Sequence, residues 1–496
     1  MSDRITPVVF RAYTAPASPK KGLSPSAPPP EPSERPPIDQ SELGAPVPMV
    51  EVRPATLRKI GLAATLGLVG LGALSLWSNL SPQPSPPPAS SISVSVEQPA
   101  ESPSVLTQLE ASPAAVVATR DGQLLSAGRI LKFDQYPGLQ NGQLPETIEG
   151  APNFRGVDGT SIYGVAQPTE QGLRAVLDRL GAKEHSVTWA TMREEPVVYV
   201  NGRSYSLRLE AQPFANFDEN SGITTAPLER QEEQLQQEVL REAANHGGKI
   251  LLHGEAADGS LVAEWVDVTS VKTPQEVFAE VKAEGYQVNY ARIPITDEKA
   301  PEDRDFDALV ATLKDIDPKA PLIFNCHAGR GRTTTAMVVA DLLRSVQAGK
   351  EQTFTQHQAV RGDIGEQGNY EQGEYRIILR LIQALQAGPE SKGQTDESID
   401  RFAAMQNLRT AIEKYKDRAA QSTDPGARSH AEETGLDYLH RYFKLINFDE
   451  YLHEQAPKGF EQSYEEWFKA RPDLQEMLGQ MELALNVGSQ GQTQYA

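Results

Sequence analysis

Residues 60–77, IGLAATLGLVGLGALSLW, form an uncharged run between two proline-rich tracts, and this run divides what the chain of 496 residues can fold into. At 1.5 Å rise per residue, such a run reaches the lower limit of a bilayer-spanning helix. Neither flank offers a surface to pack against. Residues 1–59 hold 13 of the 37 prolines, in stretches such as SAPPPEPSERPP, and SPQPSPPPASSISVSVEQPAESPS follows at 81–104. Tracts of that composition bury too little apolar surface to offset their ordering entropy. The expectation is a disordered tail over 1–59, one transmembrane helix over 60–80 and an extended Pro/Ser linker over 81–120. Arg53, Arg58 and Lys59 precede the apolar run, whereas residues 81–119 contain no Lys or Arg. That asymmetry leaves the N-terminus in the cytoplasm and carries the remainder to the outer side of the membrane. A cleaved signal peptide fits less well, because the preceding tail is too long.

Folding signals begin near residue 120. EPVVYVNGRSYSLRLE (195–210) is two alternating runs around Asn201-Gly202, the signature of a β-hairpin. LERQEEQLQQEVLREAANHGG (228–248) has helical spacing and ends on glycines. KILLHGE, YQVNYARIPI and APLIFNC read as strands, while TPQEVFAEVKAEG and TTTAMVVADLLRSVQ read as helices. Strands alternating with helices imply an α/β layer architecture over 121–395. From about Asp396 to residue 496 the pattern is helical, and Tyr442, Phe443, Phe448 and Tyr451 read as core residues.

A formal charge of −20 and a pI near 5.0 argue against a nucleic-acid binder, which needs a basic footprint. An anionic substrate then requires a local basic pocket. One cysteine excludes an intramolecular disulfide and a Cys-based zinc cage, and His185, His246, His253 and His327 lack ligand spacing. No metal and no cofactor are expected.

That cysteine stands in FNCHAGRGRTTT (324–335). A lone Cys is by default a small buried hydrophobe. Its surroundings say otherwise. An apolar strand ends at Cys326, Gly329 and Gly331 permit a tight loop, and a helix starts at Arg332-Thr333. Amides and a helix dipole pointing at one spot make an anion cradle, and the same field favours thiolate over thiol. Arg332 adds a planar fork matched to two phosphate oxygens. The pattern is that of phosphoester cleavage through a cysteinyl-phosphate, with Cys326, Arg332 and Thr333 as catalytic candidates. His327, Ala328, Gly329, Arg330 and Gly331 complete the substrate-binding loop, with the His327 side chain expected to face outward. The leaving group needs a proton from a carboxylic acid on a separate loop. Asp297, directly after RIPIT and shortly before Pro301, is the candidate, and Lys299 is a candidate contact for a second phosphate.

The CxxxxxRT loop resembles the signature of the protein-tyrosine-phosphatase superfamily. More narrowly, CHAGRGRTTTAM is similar to the loop of its paladin and bacterial cysteine-phytase branch, and RIPITDEKAP resembles the general-acid loop of that branch. PNFR (152–155), YGVAQPT (163–169), REEPVVYVNGRSYSLR (193–208), YLHRYFKLINFDEYLHEQ (438–455) and the later RPDL extend the likeness over about 121–475. One position departs: Asn325 stands where most of the superfamily has His before the nucleophile. The resemblance implies a central sheet flanked by helices, a helical C-terminal region and a metal-independent phosphomonoesterase. Inositol polyphosphates or phosphoinositide headgroups are the implied substrates, and Arg330 fits a substrate with several phosphates. A protein tyrosine or dual-specificity phosphatase, and a membrane-tethered phosphate-binding scaffold without turnover, are the alternatives. No protein partner follows from the sequence.

Overall fold

The computed structural model describes residues 112–349 and 370–488. The tail, the segment 60–80 expected to cross a membrane, and the linker up to residue 111 lie outside the described residues. Among the described residues no helix is long and apolar enough to cross a membrane.

In chain order the elements are α1 (Pro113–Ala118), β1 (Arg129–Phe133), β2 (Arg155–Gly156), β3 (Ile162–Val165), α2 (Glu170–Arg179), β4 (Val187–Thr191), β5 (Val197–Val200), β6 (Arg203–Leu209), α3 (Thr225–Asn245), β7 (Lys249–Glu255), β8 (Leu261–Asp267), β9 (Val271–Lys272), α4 (Pro274–Ala283), β10 (Val288–Arg292), α5 (Asp303–Leu313), β11 (Leu322–Asn325) and α6 (Gly331–Gln347). Six helices follow: α7 (Arg376–Ala384), α8 (Gly388–Arg401), α9 (Leu408–Gln421), α10 (Pro425–Gln455), α11 (Tyr464–Lys469) and α12 (Pro472–Gly488).

Where the resemblance implies one central sheet, the strands form two. The first has the order β10-β4-β11-β3-β2, parallel except for β2. The second has the order β8-β7-β1-β6-β5-β9 and is antiparallel except for the β1–β7 pair. The hairpin at Asn201-Gly202 is present, with φ of 51° and 78° at the two turn residues, the positive values that a type I′ turn needs. Alternation along a strand reports which face is buried but not which sheet it joins, so the split was hidden in the sequence.

Side chains of β11 point alternately into two cores. Leu322 and Phe324 enter a core shared with α5, α6 and the C-terminal helices, while Ile323 enters one shared with α2, α4 and Trp189. The expected boundary at 395–396 falls inside α8, and Ile399 and Phe402 belong to the same core as α6. Tyr442, Phe443, Phe448 and Tyr451 are buried there as expected. The linker reading of 113–120 is corrected too. Ser112 caps α1 by accepting a hydrogen bond from the Ala115 amide, Pro113 opens it, and Val116 and Val117 pack with Ile130 and Leu251.

Candidate active site

The loop after β11 sits at the C-terminal end of the parallel sheet, between β4 and β3, where ligands of open α/β sheets bind. Its carbonyls are turned outward. The Gln167 amide donates to the His327 carbonyl (2.9 Å), and Asn153 Nδ2 donates to the Ala328 carbonyl (2.9 Å). In a trans peptide the N–H opposes the C=O, so the amides of Ala328 and Gly329 face the inside of the loop. Gly329 is required twice over. Its φ is 70°, and a Cβ there would lie 2.6 Å from the Ala166 nitrogen. Gly331 opens α6, with the half-buried Arg330 at its N-cap position.

Cys326 is 3% exposed. Asn325 beside it is held in a neutral chain of buried hydrogen bonds. Trp189 Nε1 donates to Asn325 Oδ1 (2.9 Å), Asn325 Nδ2 to Gln167 Oε1 (3.0 Å), and Gln167 Nε2 to the Tyr199 hydroxyl oxygen (2.8 Å). A side-chain amide thus orients the base of the loop. The Thr333 hydroxyl is fully buried and has no hydrogen-bond partner among the described residues. A second cation lies behind the loop. Arg155 donates from Nη2 to Thr334 Oγ1 (3.0 Å) and from Nη1 to the Asn153 carbonyl (3.2 Å), and it pairs with no carboxylate among the described residues. Burial lowers its pKa to about 10, and its electrostatic interaction with Cys326 opposes that shift.

Arg332 is 1% exposed, and all its nitrogens face oxygens. Nη1 and Nη2 donate to the two carboxylate oxygens of Glu195 (3.2 and 3.1 Å), Nη1 also to the Ile295 carbonyl (3.3 Å), and Nε lies 3.1 Å from Asp297 Oδ1. Burial opposes its charge, but Asp297, Glu195 and Cys326 hold its pKa well above the ordinary value. Glu195 is the hub of a buried cluster. Arg193 Nε donates to it (3.2 Å), Arg208 Nη2 lies 3.9 Å away, and Arg193 also pairs with buried Asp134 (2.9 Å). Burial alone would raise the Glu195 pKa; Arg332, Arg193 and Arg208 hold it well below the ordinary range instead.

Asp297 is thereby brought to the loop, as its place in the sequence suggested. Its Oδ2 accepts from Asn216 Nδ2 (2.6 Å), whose own Oδ1 accepts from Arg208 (2.8 Å), and its amide donates to Glu194 Oε1 (3.2 Å). Lys299 is directed elsewhere, with its ammonium 2.6 Å from Asp437 on α10. His327 corrects the outward-facing expectation. Its Nε2 donates to the Asp134 carbonyl (3.0 Å), and its side chain is 21% exposed. Burial, with Arg193, Arg208 and Lys132 nearby, pushes its pKa well below the ordinary imidazole value. A neutral ring makes the 3.7 Å approach to Asp134 Oδ1 a dipolar contact rather than an ion pair. Among the described residues no cluster of three or more His, Cys, Asp or Glu is placed to hold a metal ion.

Sequence reasoning missed Arg155, Arg193, Glu194, Glu195, Arg208 and Asn216 as site residues. The signal was the charged triplet Arg193-Glu194-Glu195 directly before an apolar strand, in the crossing from one sheet to the other. Glu194 also accepts from Thr296 Oγ1 (2.8 Å), and burial together with Glu195 raises its pKa to about 7 from 4.5. In the folded chain this carboxyl keeps its proton over a window in which the unfolded chain has lost it, so its contribution to stability falls as pH rises from 4.5 through about 7. Relative to Glu194→Gln, the wild-type denaturation midpoint is therefore expected to drop between about pH 5 and about pH 8. Midpoints that move in parallel would contradict the assignment.

Residues 190–344 match the family model of PTP-like phytases, described by inositol hexakisphosphate. Over these residues the chain is similar to the paladin- and phytase-like branch of the protein-tyrosine-phosphatase superfamily. It is 30% identical to paladin of Gallus gallus over 328 residues, covering 64% of this chain and 36% of that protein. Against paladin of Homo sapiens it is 28% identical over 333 residues, covering 64% and 35%. The chain thus spans about a third of the length of these relatives. Among solved structures, the PTP-like myo-inositol phosphatase of Mitsuokella multacida, in complex with myo-inositol-(1,3,4,5)-tetrakisphosphate, matches with a TM-score of 0.44 at 19% identity, over 70% of this chain and 48% of that one. The PTP-like phytase of Bdellovibrio bacteriovorus matches with a TM-score of 0.39 at 17% identity, over 68% and 94%.

Proposed function

We propose that this chain is a phosphomonoesterase that works through a cysteinyl-phosphate, with inositol polyphosphates as its substrates. The observation that carries the reading is the meeting of three elements at one point. The Cys326 loop presents inward amides, Arg332 is locked in one orientation by Glu195, and Asp297 lies against Arg332. In the first step the Cys326 thiolate bonds to phosphorus while the bond from phosphorus to the leaving oxygen breaks. Asp297 gives that oxygen its proton, so a neutral alcohol departs. In the second step Asp297, now a carboxylate, takes a proton from the attacking water. The water oxygen bonds to phosphorus, the S–P bond breaks and the thiolate returns. Loop amides and the positive charge of Arg332 stabilise the charge on the non-bridging oxygens throughout. The paladins and the PTP-like phytase model support an inositol phosphate over other phosphomonoesters.

Phosphate release by the full chain from inositol hexakisphosphate, a phosphoinositide and a phosphotyrosine peptide tests the proposal. Turnover of inositol hexakisphosphate with kcat/KM at least about tenfold above the peptide is expected, a difference of about 1.4 kcal/mol in transition-state binding. Preference for the peptide would replace the substrate assignment. Tight binding without turnover of any of the three would make the chain a scaffold.

A further inference from the structure

Among the C-terminal helices, α10 reaches the site. On α10, Asp437, Arg441 and Lys444 are spaced i, i+4, i+7 and so share one face. That face lies against the segment that follows Asp297. Arg441 Nη2 donates to the Lys299 carbonyl (2.7 Å) and Lys444 Nζ to the Pro301 carbonyl (2.9 Å). Lys444 also sits 3.0 Å from Asp303 Oδ1, and Asp437 takes the Lys299 ammonium at 2.6 Å. Arg441 is 2% exposed, and its Nη1 reaches Thr335 Oγ1 (3.4 Å) on the second turn of α6. One guanidinium thus ties the acid segment to the helix that carries Arg332.

The segment needs such support. Glu298, next to Asp297, has φ of 58°, a left-handed conformation that a residue other than glycine holds only when its surroundings fix it. None of the local hydrogen bonds of the turn restrains the carbonyls of Lys299 and Pro301; both are satisfied from α10.

We infer that α10 is a latch for the acid loop, in which Arg441 and Lys444 act as positioning residues that keep Asp297 at the leaving-group side of the Cys326 loop. This rests on the reading of Asp297 as the general acid. A latch of this kind has a consequence that a merely structural role lacks. Alkyl phosphates such as inositol phosphates need a proton on the leaving oxygen, whereas an aryl phosphate that expels a stable phenolate does not. Loosening the loop therefore slows the first class of ester selectively.

The test compares the full-length wild type with Lys444→Met and Arg441→Met on inositol hexakisphosphate and on 4-nitrophenyl phosphate. The ratio of kcat on the alkyl ester to kcat on the aryl ester is expected to fall at least about tenfold in either variant, within the range that general acids contribute. Amide hydrogen exchange of residues 297–302 is expected to accelerate alongside. Equal losses on both esters, or an unchanged ratio, overturn the latch. Should either Met variant fail to fold, Asp437→Asn loosens the loop through Lys299 alone, and the same ratio and exchange decide. A wild type with no turnover of either ester defeats the phosphatase reading instead, and unchanged exchange in Lys444→Met still overturns the latch.

Discussion

Cys326→Ser is expected to lower kcat on inositol hexakisphosphate by on the order of 10⁴-fold or more, because it removes the nucleophile itself. A serine hydroxyl in the same place has no neighbouring base. The nearest imidazole, His327, has its Nε2 proton committed to the Asp134 carbonyl, and the groups around it disfavour further protonation. Nor does Asp297 replace the thiolate, since in the same step it is the group that gives its proton to the leaving oxygen. Binding should behave differently. The inward amides and Arg332 are untouched by the substitution, so the Kd for the same substrate is expected to stay within about tenfold, or 1.4 kcal/mol. Phosphate release and calorimetric binding on the same preparation separate the two quantities. Residual turnover above about one per cent would mean that another group attacks phosphorus, and the cysteinyl-phosphate route would be wrong.

How much of this was legible depends on the distance over which the physics acts. The Cys326 loop could be read because its determinants are contiguous: an apolar strand, a thiol, two glycines and a helix start within a dozen residues. Asp297 could be read because it ends a strand-like run, and the loop then delivers it to Arg332. Glu195 could not. It meets Arg332 across 137 positions, and no local pattern announces a carboxylate that is stable only because three guanidiniums surround it. The latch on α10 spans 142 positions from Arg441 to Lys299, and in the sequence those helical charges look like an ordinary solvated face. Resemblance pointed to both segments without saying what joins them. His327 misled for a related reason. A loop taken in isolation leaves that side chain exposed, whereas the Asp134 carbonyl that takes its proton comes from the end of β1 in the other sheet.

Glu195→Ala should then be the most destabilising single change in the site. Removing one partner from a buried ion cluster leaves the others uncompensated, which costs about 3–5 kcal/mol. Here Arg332, Arg193 and Arg208 lose their shared carboxylate, and only Asp134 remains buried beside Arg193. A fall in Tm on the order of 10 °C follows for a domain of this size. The pH dependence carries the sign. Because the folded pKa of Glu195 is depressed, its stabilisation is present above the ordinary value of 4.5 and is lost as pH falls through the folded value. The gap between wild type and Glu195→Ala should therefore be widest near neutral pH and narrow on acidification below 4.5. Glu195→Gln keeps the shape and two of the acceptor contacts, so it should unfold between the two while still releasing Arg332 from its fixed orientation. Denaturation midpoints across pH for the three proteins measure this directly. A gap that does not change with pH would show that Glu195 stabilises by packing rather than by its charge.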